Sequence, residues 1–197
     1  TNNSYSIRYK NKAIVRTSHR TEIERTFITA DLIKYNALLN YNPQNPEYSV
    51  FDLQTIHALR FFLQTVFRKN TFREGQLEIL NKALQTDSVI GLLPTGGGKS
   101  LTYQLAALLQ PGICLVIDPI KSLMKDQFDN LRKNFIDACN YINSSLKTRE
   151  ERERETSKLS GGKVIFSFVS PERLQMKTFR DSLLKMYDRK VYFSYCI

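Results

Sequence analysis

The stretch Leu93-Pro94-Thr95-Gly96-Gly97-Gly98-Lys99-Ser100 decides how the rest of this chain is read. It follows a short apolar run, Ser88 to Leu93, whose composition predicts a strand. It precedes Leu101, Leu105, Leu108 and Leu109, whose spacing predicts a helix ended by Pro111-Gly112. Strand, glycine-rich loop and helix is the setting in which backbone N–H groups cradle a phosphate. Three successive glycines let the backbone wrap an anion, and a helix starting near Lys99 aims its positive dipole end at the same place. Lys99 can reach the outer phosphates of a nucleotide, and Ser100 can place a hydroxyl on Mg²⁺. The strict pattern opens on a glycine five places before Gly98, where this chain has Leu93. The bland alternative is a glycine-rich loop that binds nothing. Against it, four of the chain's eight glycines fall between Gly91 and Gly98, so the local backbone has a reason to use them.

Outward from the loop the pattern is regular. Leu77, Leu80 and Leu84 predict a helix upstream. Downstream, Ile113–Ile117 is apolar throughout, as in a strand covered on both faces. Leu123, Met124, Phe128 and Leu131 predict a helix, Ala138–Ile142 a strand, and Thr148–Lys158 an exposed helix laced with Glu and Arg. Val164–Val169 and Val191–Ile197 predict two more strands. Alternating strands and helices with short connections give right-handed crossovers and a parallel sheet flanked by helices, an α/β fold. Before this region, a helix is predicted from Ser49, with Leu53, Ile56, Leu59, Leu63, Val66 and Phe67 as its core stripe. On that reading the Phe61-Phe62 pair belongs to a buried face rather than to a base-stacking surface. Tyr41–Pro46 reads as a linker, and Ala13–Val15 and Phe27-Ile28 as strands of a small extension. The expected organisation is residues 1–48 as extension and linker and residues 49–197 as one domain.

Composition narrows the classes. No run of 18 apolar residues is present, so a membrane span is not expected, and the start lacks the pattern of a secretory signal. The first residue is Thr1, as expected of an excerpt. Three separated cysteines, Cys114, Cys139 and Cys196, with only His19 and His57, offer neither a zinc set nor a disulfide framework, and a reducing compartment is expected. The net charge is +10; residues 1–70 hold ten basic and five acidic side chains, so half of the surplus lies in the first third. A polyanion partner and a solvated basic surface are both compatible with that surplus.

A second element, Phe72-Arg73-Glu74-Gly75-Gln76, lies 23 residues before the loop, counted from Gln76 to Lys99. A glutamine amide can donate to and accept from adenine at once, and Arg73 can stack on the ring or reach phosphate. Phe72-Arg-x-Gly-Gln76, Pro94-Thr-Gly-Gly-Gly-Lys-Ser100, Ser122-Leu-Met-x-Asp-Gln127 and Ser170-Pro-Glu-Arg-Leu174, in this order and spacing, resemble successive motifs of the RecQ family of superfamily 2 DNA helicases. Asn143-Ser144 resembles a further family feature. The resemblance covers about residues 60–197.

That resemblance implies a RecA-like domain, incomplete at its C-terminus, carried by an ATP-dependent helicase that moves 3′ to 5′ on DNA. It implies that Arg73 and Gln76 bind adenine. It implies that Thr95, Gly96, Gly97, Gly98, Lys99 and Ser100 hold ATP and Mg²⁺, with Lys99 and Ser100 catalytic and Ser100 on the metal. Pro119, Ser122, Gln127, Ser170, Pro171 and Arg173 would then touch single-stranded or partly duplex DNA. A nuclear location with roles in DNA repair and recombination follows by the same resemblance, or otherwise an intracellular one. The family's Asp-Glu-Ala-His box would begin just after Ile197, so this chain by itself is expected to bind nucleotide and DNA weakly without unwinding. The chain departs from the family at Lys69, where an aromatic is common, at Asp118, where a small residue is common, and at Lys121, usually apolar. A DEAD-box-like RNA helicase, a small-molecule kinase using only the phosphate loop, and a nucleic-acid-binding module with an inactive motor are the competing functions.

Overall fold

The computed structural model describes residues 11–15, 25–29, 39–42, 45–51, 53–85 and 87–197. The chain divides between Gln110 and Pro111 into two compact units, with β1 (Asn11–Val15) and β2 (Arg25–Thr29), which pair with each other, lying largely with the second.

In the first unit, β3 (Leu39–Asn42) and β4 (Asn45–Phe51) pair antiparallel, with Leu39 opposite Phe51 and Asn42 opposite Asn45. Of the expected linker over Tyr41–Pro46, Tyr41 and Asn42 belong to β3 and Asn45 and Pro46 to β4, and Pro43 and Gln44 lie outside the described residues. The helix expected from Ser49 begins later, as α1 (Leu53–Phe67), and Ser49 lies within β4. Its stripe is as expected, with Ile56, Leu59, Leu63, Val66 and Phe67 buried, but Phe61 is 65% exposed and is no part of that face. Next come α2 (Gln76–Leu84) and α3 (Lys99–Leu109), which pack together.

The segment Ser88–Leu93 is not a strand. Its side chains are apolar enough, but a strand exists only where a neighbour completes its hydrogen bonds, and no described residue pairs with it. Ile90 and Leu92 are each 90% exposed, while Gly91 lies so close to Ile79 of α2 that a Cβ there would overlap that side chain.

The second unit is the sheet. β5 (Ile113–Ile117), β6 (Cys139–Ile142), β7 (Phe166–Val169) and β8 (Phe193–Cys196) form a parallel four-stranded sheet in the order β6-β7-β5-β8. Register is tight in the middle: Cys114, Leu115, Val116 and Ile117 face Phe166, Ser167, Phe168 and Val169 in turn. Four helices connect the strands: α4 (Lys121–Lys133), α5 (Arg149–Ser160), α6 (Pro171–Gln175) and α7 (Lys177–Asp188). From β5 the chain crosses two places in one direction to β6, then returns through β7 to β8. Right-handed crossovers put α4 on one face and α5 and α7 on the other. The core shows this division. Ile113, Leu115, Ile142 and Val169 pack with Leu159 of α5 and with Phe179 and Met186 of α7.

Two polar devices fix α5. Thr148 caps it with a capping box: Glu151 N donates to Thr148 Oγ1 at 3.0 Å, and the Glu151 carboxylate accepts from Thr148 N at 3.2 Å. Buried Asn140 of β6 donates to the Glu155 carbonyl at 2.9 Å and accepts from Ser167 Oγ at 2.8 Å, joining helix, strand and neighbouring strand.

Candidate functional site

The glycine-rich loop runs from Leu93 into α3, whose first residue is Lys99. Gly96 and Gly98 have φ of 77° and 78°, the left-handed region where an L side chain is strained. Gly97 N donates to the Pro94 carbonyl at 2.9 Å, closing a turn. The amides of Lys99 and Ser100, in the first turn of α3, have no carbonyl to reach within the helix. The Lys99 side chain is exposed and forms no ion pair among the described residues. A Cβ at Gly96 would meet nothing within 4 Å, so the loop faces open space there.

Gln76 holds this loop in place. It is 1% exposed, and its Nε2 donates to the carbonyls of Gly97 at 3.0 Å and Gly98 at 3.3 Å. Its Oε1 accepts from Arg73 N at 2.8 Å, while the Arg73 guanidinium donates to the Gly96 carbonyl. Both amide N–H bonds of Gln76 are thus engaged by loop carbonyls. The element singled out for a base therefore also grips all three glycines. Gly75, with φ of 78°, makes the approach, since a Cβ there would meet Leu93 at 2.8 Å.

In the second unit, three loops meet at the carboxyl ends of β5, β6 and β7, the edge where open α/β sheets carry their ligands. Asp118 N donates to the Val169 carbonyl at 3.1 Å, and Ser170 N to the Ile142 carbonyl at 3.2 Å. Arg173 Nη2 reaches the Asn143 carbonyl at 2.9 Å. The Asn143 side chain accepts from Ser145 N and Oγ, at 2.8 and 2.6 Å, and its amide lies 3.5 Å from Met124 Sδ of α4. Of the residues expected to touch DNA, Pro119 and Ser122 are exposed at the start of α4, Gln127 and Pro171 are half-buried, and Ser170 is fully buried. The Asp118 carboxylate accepts from Ile120 N at 2.7 Å and so turns the chain into α4. The Glu172 carboxyl is shifted below its ordinary value, first by its own backbone N–H, with Lys121 and Arg173 adding charge. Asn143 stands out in the sequence, but its part as the hub of these loops emerges only from the folded contacts. The available signal was Asn-x-Ser directly after a strand, a common Asx-turn pattern.

The arrangement matches a known class. The chain belongs to the DEAD/DEAH box helicase family, whose sequence profile matches residues 73–190. Among its relatives, the ATP-dependent DNA helicase RecQ of Haemophilus influenzae is 43% identical over 117 residues, covering 59% of this chain and 19% of that protein. RecQ of Bacillus subtilis is 39% identical over 122 residues, 60% of this chain and 20% of that protein. The ATP-dependent helicase SGS1 of Saccharomyces cerevisiae is 31% identical over 175 residues, 87% of this chain and 12% of that protein. The chain therefore spans a fifth or less of each of these relatives. The last match covers more than residues 60–197 can supply, so the resemblance reaches further upstream than the motifs alone indicate.

Proposed function

We propose that this chain is the nucleotide-binding part of an ATP-dependent DNA helicase of the RecQ type, moving 3′ to 5′. The observation that carries the reading is the clamped loop at the start of α3: left-handed Gly96 and Gly98, first-turn amides with no carbonyl inside the helix, and a Lys99 without an ion pair among the described residues. In this reading Thr95, Gly96, Gly97, Gly98, Lys99 and Ser100 hold the triphosphate, and Arg73 and Gln76 sit on its adenine side. Gln76 can bind a base only by releasing part of its grip on the loop, which would link base recognition to loop shape. Mg²⁺, placed on Ser100, would supply charge neutralisation at the phosphates. Pro119, Ser122, Gln127, Pro171 and Arg173 would contact the DNA backbone, where a hydroxyl, an amide and a guanidinium suit phosphate, while the fully buried Ser170 would shape their loop and not touch the strand itself. Residues 49–197 would be the first RecA-like domain and residues 1–48 an extension, in a protein that works inside the cell and, in a eukaryote, in the nucleus with roles in repair and recombination.

The test is DNA-stimulated ATPase activity of the full-length protein. Lys99→Ala should lower it on the order of 10²-fold, the usual cost of one preorganised charge-stabilising group. No stimulation by DNA in the wild type, or no effect of Lys99→Ala, would overturn the proposal; stronger stimulation by RNA would move it to the RNA helicases.

A further inference from the structure

Between α5 and α7 lies a half-open cleft of about 590 Å³. Five basic side chains line it, Arg149, Arg152, Arg173, Lys185 and Arg189, against a single acid, Glu153. Five serine and threonine hydroxyls, all from these two helices, complete the polar wall.

The positive charge is fixed but hardly neutralised. Arg149 pairs with Glu153 at 2.6 Å, yet both side chains are largely exposed, and such a pair is strongly screened. Arg152 Nη1 donates to the carbonyls of Leu146 at 2.9 Å and Lys147 at 3.3 Å, and Arg173 to that of Asn143. Carbonyls orient these guanidiniums without cancelling their charge. Lys185 and Arg189 have no carboxylate partner among the described residues. Arg173 Nε is buried without an acceptor. Cations lining one cleft with a single acid repel one another until an anion enters.

The geometry points to this cleft as a second nucleic-acid site, taking the phosphodiester backbone of a strand that continues past the Ser170–Arg173 loop. Phosphate is the anion that guanidiniums and clustered hydroxyls suit best. The one aromatic ring on the lining, Phe179, is 4% exposed and offers no face on which a base could stack, so the strand is held by its backbone. Arg173 belongs both to the loop and to the cleft, which makes the path continuous. The inference rests on the DNA-helicase reading above.

The test uses the full-length protein and fluorescein-labelled single-stranded DNA of mixed sequence, titrated over a range of salt. The double variant Lys185→Gln/Arg189→Gln removes two exposed cations that lie outside the nucleotide site. Its affinity should fall about tenfold, and its plot of log affinity against log salt should flatten by roughly 1.4, at about 0.7 per phosphate contact. Lys185→Arg/Arg189→Lys, which keeps both charges, should restore the wild-type slope. ATPase activity without DNA should not change. An unchanged slope in the Gln variant overturns the cleft assignment alone. A wild-type protein that binds no DNA overturns the helicase reading with it. If tripolyphosphate shields Lys185 from acetylation while DNA does not, the cleft is a site for free phosphate chains and the assignment also falls.

Discussion

Gln76 joins two parts of the candidate site through a neutral side chain, and its chemistry limits what can replace it. Gln76→Ala would leave the Arg73 amide and the Gly97 and Gly98 carbonyls without their partner, at a cost of about 1–3 kcal/mol of stability, read by denaturant unfolding. Gln76→Glu should cost more, because a carboxylate would face two carbonyl oxygens; a Glu variant as stable as wild type would refute the clamp. The glycines give a sharper contrast. Gly96→Ala meets open space, so only the left-handed backbone opposes it, at about 1–2 kcal/mol. Gly98→Ala has the same φ and also drives a methyl into Gln76 Nε2, so it should lose more stability and more nucleotide affinity than Gly96→Ala. The backbone demand at Gly96 and Gly98 was legible in the sequence, because a chain sparse in glycine that clusters four of them between Gly91 and Gly98 has a local conformational reason to do so. The grip of Gln76 on the loop was not, because it joins residues 21 and 22 positions apart and depends on how α2 lies beside the loop.

Among the elements, apolar stripes mark α1 to α4 and the Glu and Arg spacing marks α5, whereas α6 and α7 are absent from the sequence expectation although Phe179 and Met186 give α7 a buried face. The charged helix α5 has no apolar face to find, yet Thr148 and Glu151 sit at capping-box spacing, and the structure closes that box. Thr148→Ala should cost about 1 kcal/mol, measured by thermal or chemical unfolding, and an unchanged stability would show the cap to be idle. Strands were read less evenly. β5 declares itself by an unbroken apolar run, and β7 by a run interrupted only at Ser167, because helices cover both faces of the sheet. Ser88–Leu93 has the same composition and forms no strand, since composition speaks to burial while a strand also needs a hydrogen-bonding neighbour. The start of α1 was placed four residues early for a related reason: Ser49 has capping chemistry, but β4 claims it through pairing with β3.

On the scale of the whole second unit, two thiols report on its integrity. Cys114 on β5 and Cys139 on β6 are buried, and burial pushes both up to about 12 from an ordinary value of 9.0. Cys196, at the end of β8, is exposed. At mildly alkaline pH a thiol reagent should modify Cys196 quickly and the other two only as the sheet opens, with all three reacting at once in denaturant; fast reaction of all three in the native state would contradict the packing. The same shifts give a pH dependence. Above about pH 9 the unfolded thiols lose protons that the folded ones keep, so stability should decline as pH rises from about 9 towards about 12.

The bond from Arg173 to the Asn143 carbonyl has a consequence for how the unit responds to a ligand. Asn143 also secures Ser145 and touches Met124, so three loops draw their position from one buried asparagine. A force on Arg173 is then felt at the start of the β6–α5 connection and on α4, and the three contacts cannot be varied independently. Arg173→Ala and Asn143→Ala should be non-additive in a double-mutant cycle, by about 0.5–3 kcal/mol. Any ligand seated on this edge would therefore meet a surface that shifts as a block, and work done at one loop would be shared among all three.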